Sequence, residues 1–492
     1  MAEQSFTERF EQLADQHPNA PAVTLVGAPG TTLEQCTWQA LTERSHRVAR
    51  ALKASGVGLG SFVTIALPNS VDFFVACFAA WKLGAIPQPV SSRLPPAELD
   101  AIVTLAKSAV VIGENSLEIA GRECVSIDAL MGRDGDDAMS LPDCRSPHWK
   151  APTSGGSTGR PKLIVAEEPA VFDADEAGLT DILRLRRGGA TLVPGPMYHN
   201  GPFVWAFQQM LYDGHVVLLE RFDAEATLDA IARFSANTVY LVPTMMNRIW
   251  KLPVAVREQY DLGAIDAIWH LAAPCPPWLK EAWIDWLGAD RVWELYGGTE
   301  GQSATVISGE EWLAHRGSVG RPVMGEITIL DDTGHPVAAN VVGEVFMRPD
   351  DGRVTYHYIG AEPRQNDGGW ESLGDMGWLD DDGYLYLTDR RTDMILSGGA
   401  NIYPAEVEAA LETHPAVSSC AVIGLPDDDL GQRVHAVVHA PGATQDELIA
   451  HVGSRLVRYK VPRSIELVDT PVRDDAGKVR RSALLADRVE RS

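Results

Sequence analysis

The chain has 492 residues, enough to bury large cores in two or three domains without a disulfide or metal staple. A hydrophobic content of 45% with 13 Trp excludes a chain that is disordered throughout. With 67 acidic against 42 basic residues the net charge is −25, which sets the chain against nucleic acid and anionic membrane surfaces as partners; an anionic substrate would have to be met locally, by backbone N–H groups, a few basic residues or Mg²⁺.

The opening stretch, MAEQSFTERFEQLADQH, is polar and has no apolar signal core. The longest apolar run, Phe73 to Trp81, is too short to span a bilayer. Six Cys, at 36, 77, 124, 144, 275 and 420, form no CxxC pair and no Cys/His cluster of zinc spacing. A cytoplasmic location in a reducing compartment is expected. In QALTERSHRVARALKASG, Leu41, Val48, Ala49 and Leu52 recur at helical spacing and Gly56 suits the C-terminal cap. FVTIALP (62–68) reads as a strand, and VDFFVACFAAWKLG (71–84) as a helix buried on most sides. A helix near 96–107 and a strand at 109–113 follow, and 132–147 reads as an exposed loop. After 190 the alternation resumes: strand 215–220, a helix from Asp223 to Phe234 with Asp223 as N-cap, strand 238–243, strand 267–274, a helix around 277–287 and strand 291–297. From about 317 to 390 short β runs alternate with Gly and Asp turns, an antiparallel, barrel-like texture. Beyond 393, a helix at 404–414 with Pro404 in its first turn, two strands and a further helix suggest a small α+β domain.

Four segments carry chemistry. TSGGSTGRPK (153–162) can aim N–H groups and hydroxyls at phosphate oxygens, although it lacks the Gly-Lys-Ser/Thr ending of a P-loop and also fits a plain surface loop. ELYGGTEG (294–301) delivers Tyr296, which could stack on a base, then Thr299 and Glu300, whose carboxylate could hold a hard cation; a β-turn with an exposed acid is the bland alternative. In SLGDMGWL, Asp375 could accept from a ribose diol, with Arg390 reaching the same sugar, or the two are an Asx-turn residue and a surface cation. Lys478, behind Gly477 in DDAGKVRRSAL, taken alone is a solvated charge.

The order and spacing of these four segments, with SGGANIYPAEVE and YKVPRSIE, resemble the adenylate-forming superfamily of acyl-CoA synthetases, peptide-synthetase adenylation domains and luciferases. MYHNGPF and LPDDDLGQRVHAVV are most similar to the acid–CoA ligases of the bile-acid-ligase branch. The resemblance implies an α/β fold: a large N-terminal domain of parallel α/β layers plus a β-barrel-like part over 1–389, a hinge at 390–393, and a small mobile α+β C-terminal domain over 394–492. It implies ATP, Mg²⁺ and coenzyme A as cofactors. Thr153, Ser154, Gly155, Gly156, Ser157, Thr158 and Gly159, with Lys162, would wrap the β- and γ-phosphates. Tyr296 and Gly297 would lie on adenine beside the backbone of Ala273 and Pro274. Thr299 would touch the α-phosphate, Glu300 would ligate Mg²⁺, and Asp375 and Arg390 would bind the ribose. Lys478 would bridge the substrate carboxylate and the α-phosphate, with His199 near the carboxylate and the acceptor tunnel. Thr392, where the family usually has Asp or Lys, leaves the pivot residue open.

The activity implied is AMP-forming activation of a carboxylic acid followed by transfer to coenzyme A. Phe203, Trp205, Met245, Met246, Trp269 and Gly298 are the expected acid-pocket lining, each also compatible with ordinary core, and their bulk suggests an aromatic or polycyclic acid. An amide-forming ligase using an amine acceptor, a carrier-protein loading enzyme and a non-catalytic nucleotide binder are the alternatives. Association into a homodimer is compatible with the sequence.

Overall fold

The computed structural model describes residues 3–114, 118–133, 141, 144–155, 161–173, 178–366, 368–390, 393–397, 400–427, 430–474 and 477–489. Much of the loop expected at 132–147 lies outside them. A central sheet begins with six parallel strands in the spatial order Pro21–Val26, His215–Leu219, Ala190–Val193, Thr238–Leu241, Ala267–His270 and Val292–Gly297. Thr32–Thr37 closes one edge antiparallel. The other side runs on directly into antiparallel strands, Ala304–Ser308, Ser318–Met324, Leu385–Arg390, Asp375–Leu379, Gly343–Arg348 and Glu326–Leu330. Apart from Tyr356–Ile359, which pairs with Pro161–Ala166 in a separate three-stranded sheet, the β texture read over 317–390 is therefore an extension of the same hydrogen-bonded sheet. A second parallel sheet contains Ile86–Pro89, Phe62–Ala66, Val110–Gly113 and Arg122–Val125.

The helix Val71–Lys82 lies between these sheets, which explains its composition. Every residue except Asp72 is buried, so apolar side chains are needed all round rather than on one stripe. Phe78 stacks on Phe10 at 3.8 Å between ring centroids, and Trp81 meets Phe207 edge-on at 4.8 Å. Phe10 comes from the helix Phe6–Gln16, started by a capping box between Ser5 and Glu8. Phe207 comes from the helix Asn200–Leu211. Among the described residues no helix is long and apolar enough to cross a membrane.

The chain after Asp393 builds a core of its own. Ser419–Asp427 and Gly431–His439 form a long hairpin, with Ile395–Ser397 and, parallel, Ser464–Leu467 alongside. Val407 and Leu411 of the helix Pro404–Glu412 and Leu448 and Val452 of the helix Gln445–Gly453 pack on this sheet. Glu408 is buried among them, yet two guanidinium groups hold its carboxyl below the usual range: Arg473 pairs with it, and Arg481 donates at 2.7 and 3.0 Å. Arg481 also holds Asp393 at 2.9 Å, tying the C-terminal helix Arg481–Val489 to the start of the small domain. Removing one partner of a buried charge cluster costs about 3–5 kcal/mol. Glu408→Ala should accordingly abolish the hydrogen-exchange protection of strands 419–439 while leaving that of strands 215–219 and 238–241 intact.

Candidate active site

A cleft of about 2590 Å³ opens where the parallel strands end at their carboxyl termini. The chain leaving Ala267–His270 supplies Leu271 to Cys275, and that leaving Val292–Gly297 supplies Gly298, Thr299 and Glu300. The cleft is also lined from the small domain by Asp474, Gly477 and Lys478.

Tyr296 and Asp375, far apart in sequence, meet here: the phenol donates to Asp375 Oδ2 at 2.7 Å. Asp375 opens its strand opposite Arg390 on the neighbouring one, so the ladder brings the two expected ribose residues together at backbone level. Ala273, Pro274, Gly297 and Thr299 line the same region. Ala272 holds a left-handed backbone, φ 71°, in a turn where a residue with a Cβ is strained.

Glu300 is buried, and its Oε1 accepts from Tyr358 at 2.6 Å with the Lys162 ammonium 3.6 Å away. Lys162 also lies 3.8 Å above the Tyr358 ring. The pairing of Pro161–Ala166 with Tyr356–Ile359 makes this possible, setting Ile164 opposite Tyr358. Burial and the Glu300 charge push the Tyr358 phenol up, so it stays a donor. Behind it, Glu371 accepts from Tyr356 at 2.6 Å and from Gln302 at 2.8 Å. Gly298 leaves room for its neighbours: a Cβ there would stand 2.6 Å from Leu373 and 2.9 Å from the Glu300 carboxylate, so those side-chain ends would have to shift. Ser154 and Gly155 pair with Lys162 and Pro161 in the hairpin carrying the Gly/Ser-rich segment. Gly156, Ser157, Thr158 and Gly159 lie outside the described residues, as does Thr392.

The Gly477–Lys478 turn rests on the large domain. Lys478 N–H donates to Asp474 Oδ1 at 2.8 Å, and a Cβ on Gly477 would lie 3.2 Å from Thr244 Oγ1. Asp474 Oδ2 stands 4.0 Å from His199 Nε2. Burial, and then the Lys478 charge, lower the His199 pKa to about 3, so the imidazole is neutral at physiological pH. Elsewhere between the domains, Arg480 pairs with Glu98 at 3.2 Å and Lys251 donates to the Val417 carbonyl.

The expected acid-pocket residues divide. Trp205 and Gly298 line the cleft. Phe203, Met245, Met246 and Trp269 do not; they belong to the large core, where Phe203 packs on Phe207 and Trp269 donates to the Leu183 carbonyl. For Phe203 helical phase is the reason: on Asn200–Leu211 the positions 200, 201, 204, 205 and 208 meet the cleft, while 203, 207 and 210 turn to the core. Val204, Gln208 and Tyr240 take the place of the displaced candidates. Tyr358 and Glu371 have no local signal, because only long-range pairing brings them to the site, whereas Gln302 follows Glu300 by two residues.

Residues 10–351 match the family of AMP-binding enzymes, and residues 406–478 match the AMP-binding enzyme C-terminal domain. The chain belongs to the AMP-binding enzyme family. It is an AMP-forming ligase of the adenylate-forming superfamily. It is 31% identical to a feruloyl-CoA synthase of Amycolatopsis sp., over 94% of this chain and 95% of that one. It is 28% identical to a long-chain-fatty-acid–CoA ligase of Mycobacterium tuberculosis, again over 94% and 95%. The structure superposes on o-succinylbenzoate CoA synthetase from Bacillus subtilis in complex with its acyl-adenylate intermediate, with a TM-score of 0.81, 26% identity and 98% of each chain covered. That enzyme is also known in complex with ATP and magnesium ion.

Two outcomes follow from this geometry. Replacing Ala272 by Gly relieves the left-handed strain and should raise stability by about 1 kcal/mol in urea unfolding. The His199 pKa is depressed on folding, so between about pH 6.5 and 3 the unfolded chain binds a proton that the folded chain refuses, and stability falls as pH falls. The unfolding midpoint should therefore drop less steeply from pH 7 to 5 in His199→Phe than in the unsubstituted protein.

Proposed function

We propose that this ligase condenses a carboxylic acid with ATP to an acyl-adenylate, releasing pyrophosphate, and then passes the acyl group to the thiol of coenzyme A, releasing AMP. The observation that carries the reading is the Gly477–Lys478 turn seated on Thr244 beside His199, facing the cleft that also holds the Tyr296–Asp375 pair and Glu300. The relatives named above, CoA ligases in both cases, support the acceptor.

Tyr296 and Asp375 would receive the nucleoside, the phenol on the base and the carboxylate on the ribose, with Arg390. Thr299 would meet the α-phosphate. The hairpin of Thr153–Gly155 and Lys162 would carry the β- and γ-phosphates. Among the described residues no cluster of three or more His, Cys, Asp or Glu could hold a metal. Glu300 is thus a single carboxylate, the donor set that suits a Mg²⁺ ion arriving on the phosphates of ATP. Such an ion would supply charge neutralisation when bound. The acid carboxylate attacks the α-phosphorus and pyrophosphate leaves; two anions must approach, and the Lys478 ammonium orients one against the other as a fixed charge rather than as a base. In the second half-reaction the thiol sulfur attacks the acyl carbon and the mixed anhydride bond to AMP breaks.

We also assign the boundary at 390–393 as a hinge between residues 1–389 and 394–492. The last strand of the central sheet ends at Arg390, and the small sheet starts at Ile395. Rotation there would withdraw Lys478 and open a path for the thiol. The acid is aromatic or polycyclic in this reading, since Trp205, Val204 and Tyr240 surround its side of the cleft.

Pyrophosphate exchange with a panel of acids tests the first half-reaction, and offering CoA or an amine to the preformed adenylate tests the acceptor. Lys478→Ala should lower exchange by about 100-fold or more, in the range of lost charge stabilisation, while thioester formation from supplied acyl-adenylate persists. Equal loss of both half-reactions would remove the role given to Lys478.

A further inference from the structure

Lys150 stands three residues before the Gly/Ser-rich hairpin, and the superfamily signatures assign it nothing. Its side chain is buried, with the residue only 6% exposed, yet it lines the cleft. One acceptor reaches its ammonium, the side-chain oxygen of Asn200. The Trp149 ring lies 4.8 Å away on another side. Glu168 and Glu300 act on it through space, but among the described residues neither comes within ion-pair distance. An ammonium has three donors, so two of them meet no acceptor among the described residues, on a residue that lines the cleft.

The partner of Lys150 adds a second observation. Asn200 opens the twelve-residue helix Asn200–Leu211, whose N-cap, His199, makes no side-chain cap. Pro202 has no N–H, and the N–H groups of Asn200 and Gly201 meet no acceptor among the described residues. A buried cation and an uncapped positive helix end therefore converge on one spot of the acid side of the cleft. His199, on the same turn, faces the Asp474–Lys478 loop. A ligand whose reacting carboxyl sits at Lys478 would reach Lys150 with another part of the same molecule.

Resting on the reaction proposed above, we infer that Lys150 is a specificity-determining residue that selects an acid carrying a second oxygen group, a carboxylate in the first instance, to be bound by its ammonium and the first turn of the Asn200 helix. A purely hydrocarbon acid would leave these donors unsatisfied and is rejected for that reason. Burial lowers the Lys150 pKa to about 8, partly restored by Glu168 and Glu300, so the ammonium carries its charge at neutral pH and loses it in mild alkali.

The test uses pyrophosphate exchange on the full chain with skeleton-matched aryl acids: benzoate with phthalate and salicylate, and cinnamate with its ortho-carboxy and ortho-hydroxy forms. In at least one set the oxygen-bearing member should have the higher kcat/KM. Lys150→Met should cut the ratio of kcat/KM between that member and its parent by about 30-fold, mainly through KM for the acid. Lys150→Arg should keep most of the ratio, and the KM for ATP should not move. The carboxylate and hydroxyl arms separate charge from hydrogen bonding as the feature read. Should Lys150→Met fail to fold, the unsubstituted enzyme still decides the matter: its preference for the dicarboxylate should shrink between pH 6.5 and 9.5 as Lys150, flanked by Asn200, Trp149, Glu168 and Glu300, loses its proton. A preference for the unsubstituted parent in every set, or a Lys150→Met variant that loses parent and oxygen-bearing acid equally, would overturn the inference. Exchange with no acid at all would instead remove the reaction on which it rests.

Discussion

Like charge is the problem that organises this molecule. A carboxylate and a triphosphate repel, by about 4 kcal/mol for each pair of unit charges at 4 Å in a partly screened site, and the chain itself carries a net charge of −25. Three lysines in the cleft answer that repulsion locally, although acidic side chains line it as well. Lys162 stands against Glu300, Lys150 against Asn200, and Lys478 is brought in by a separate domain. The surrounding groups are held in the state this requires: burial keeps His199 neutral and Tyr358 protonated, so neither competes with the lysines for charge.

The scaffold exists to hold these cations at the carboxyl ends of parallel strands. Segments that follow four of the six parallel strands line the cleft, the antiparallel extension returns Asp375 to it, and a separate three-stranded sheet that pairs Pro161–Ala166 with Tyr356–Ile359 brings Lys162 and Tyr358 there. The helix Val71–Lys82, buried between the two sheets, gives the large domain a rigid centre, so the cleft loops are anchored at their roots.

Legibility in the sequence follows from how local each signal is. The helix Val71–Lys82, the parallel strands His215–Leu219, Thr238–Leu241, Ala267–His270 and Val292–Gly297 and the Asp223 cap are readable because their pattern lies within a dozen residues, whereas the parallel strands Pro21–Val26 and Ala190–Val193 are missed. The helix Asn200–Leu211 hides behind Gly201 and Pro202, although Pro is tolerated in a first turn, where N–H groups lack partners in any case. Phe6–Gln16 buries only a thin stripe within polar residues, and its capping box is the better sign. In the site, Tyr296, Thr299, Glu300, Asp375 and Lys478 are visible as signature residues. Tyr358 and Glu371 are not, because only long-range strand pairing brings them near. Phe203, Met245, Met246 and Trp269 show the opposite failure: bulk is visible in a sequence, but the face it occupies depends on rotational phase.

Among the described residues the seam between the two lobes contains a solvent-facing guanidinium–carboxylate contact, one lysine on a carbonyl, a glycine pressed on a threonine, and the approach of Asp474 to His199. The exposed Arg480–Glu98 pair is worth little and is dampened by dissolved ions within about 8 Å. The lobe that carries Lys478 keeps its own hydrophobic interior, so it can part from its neighbour without melting. Under the rotation proposed at 390–393, ionic strength would bear on timing, through how long the lysine lingers before it yields its place.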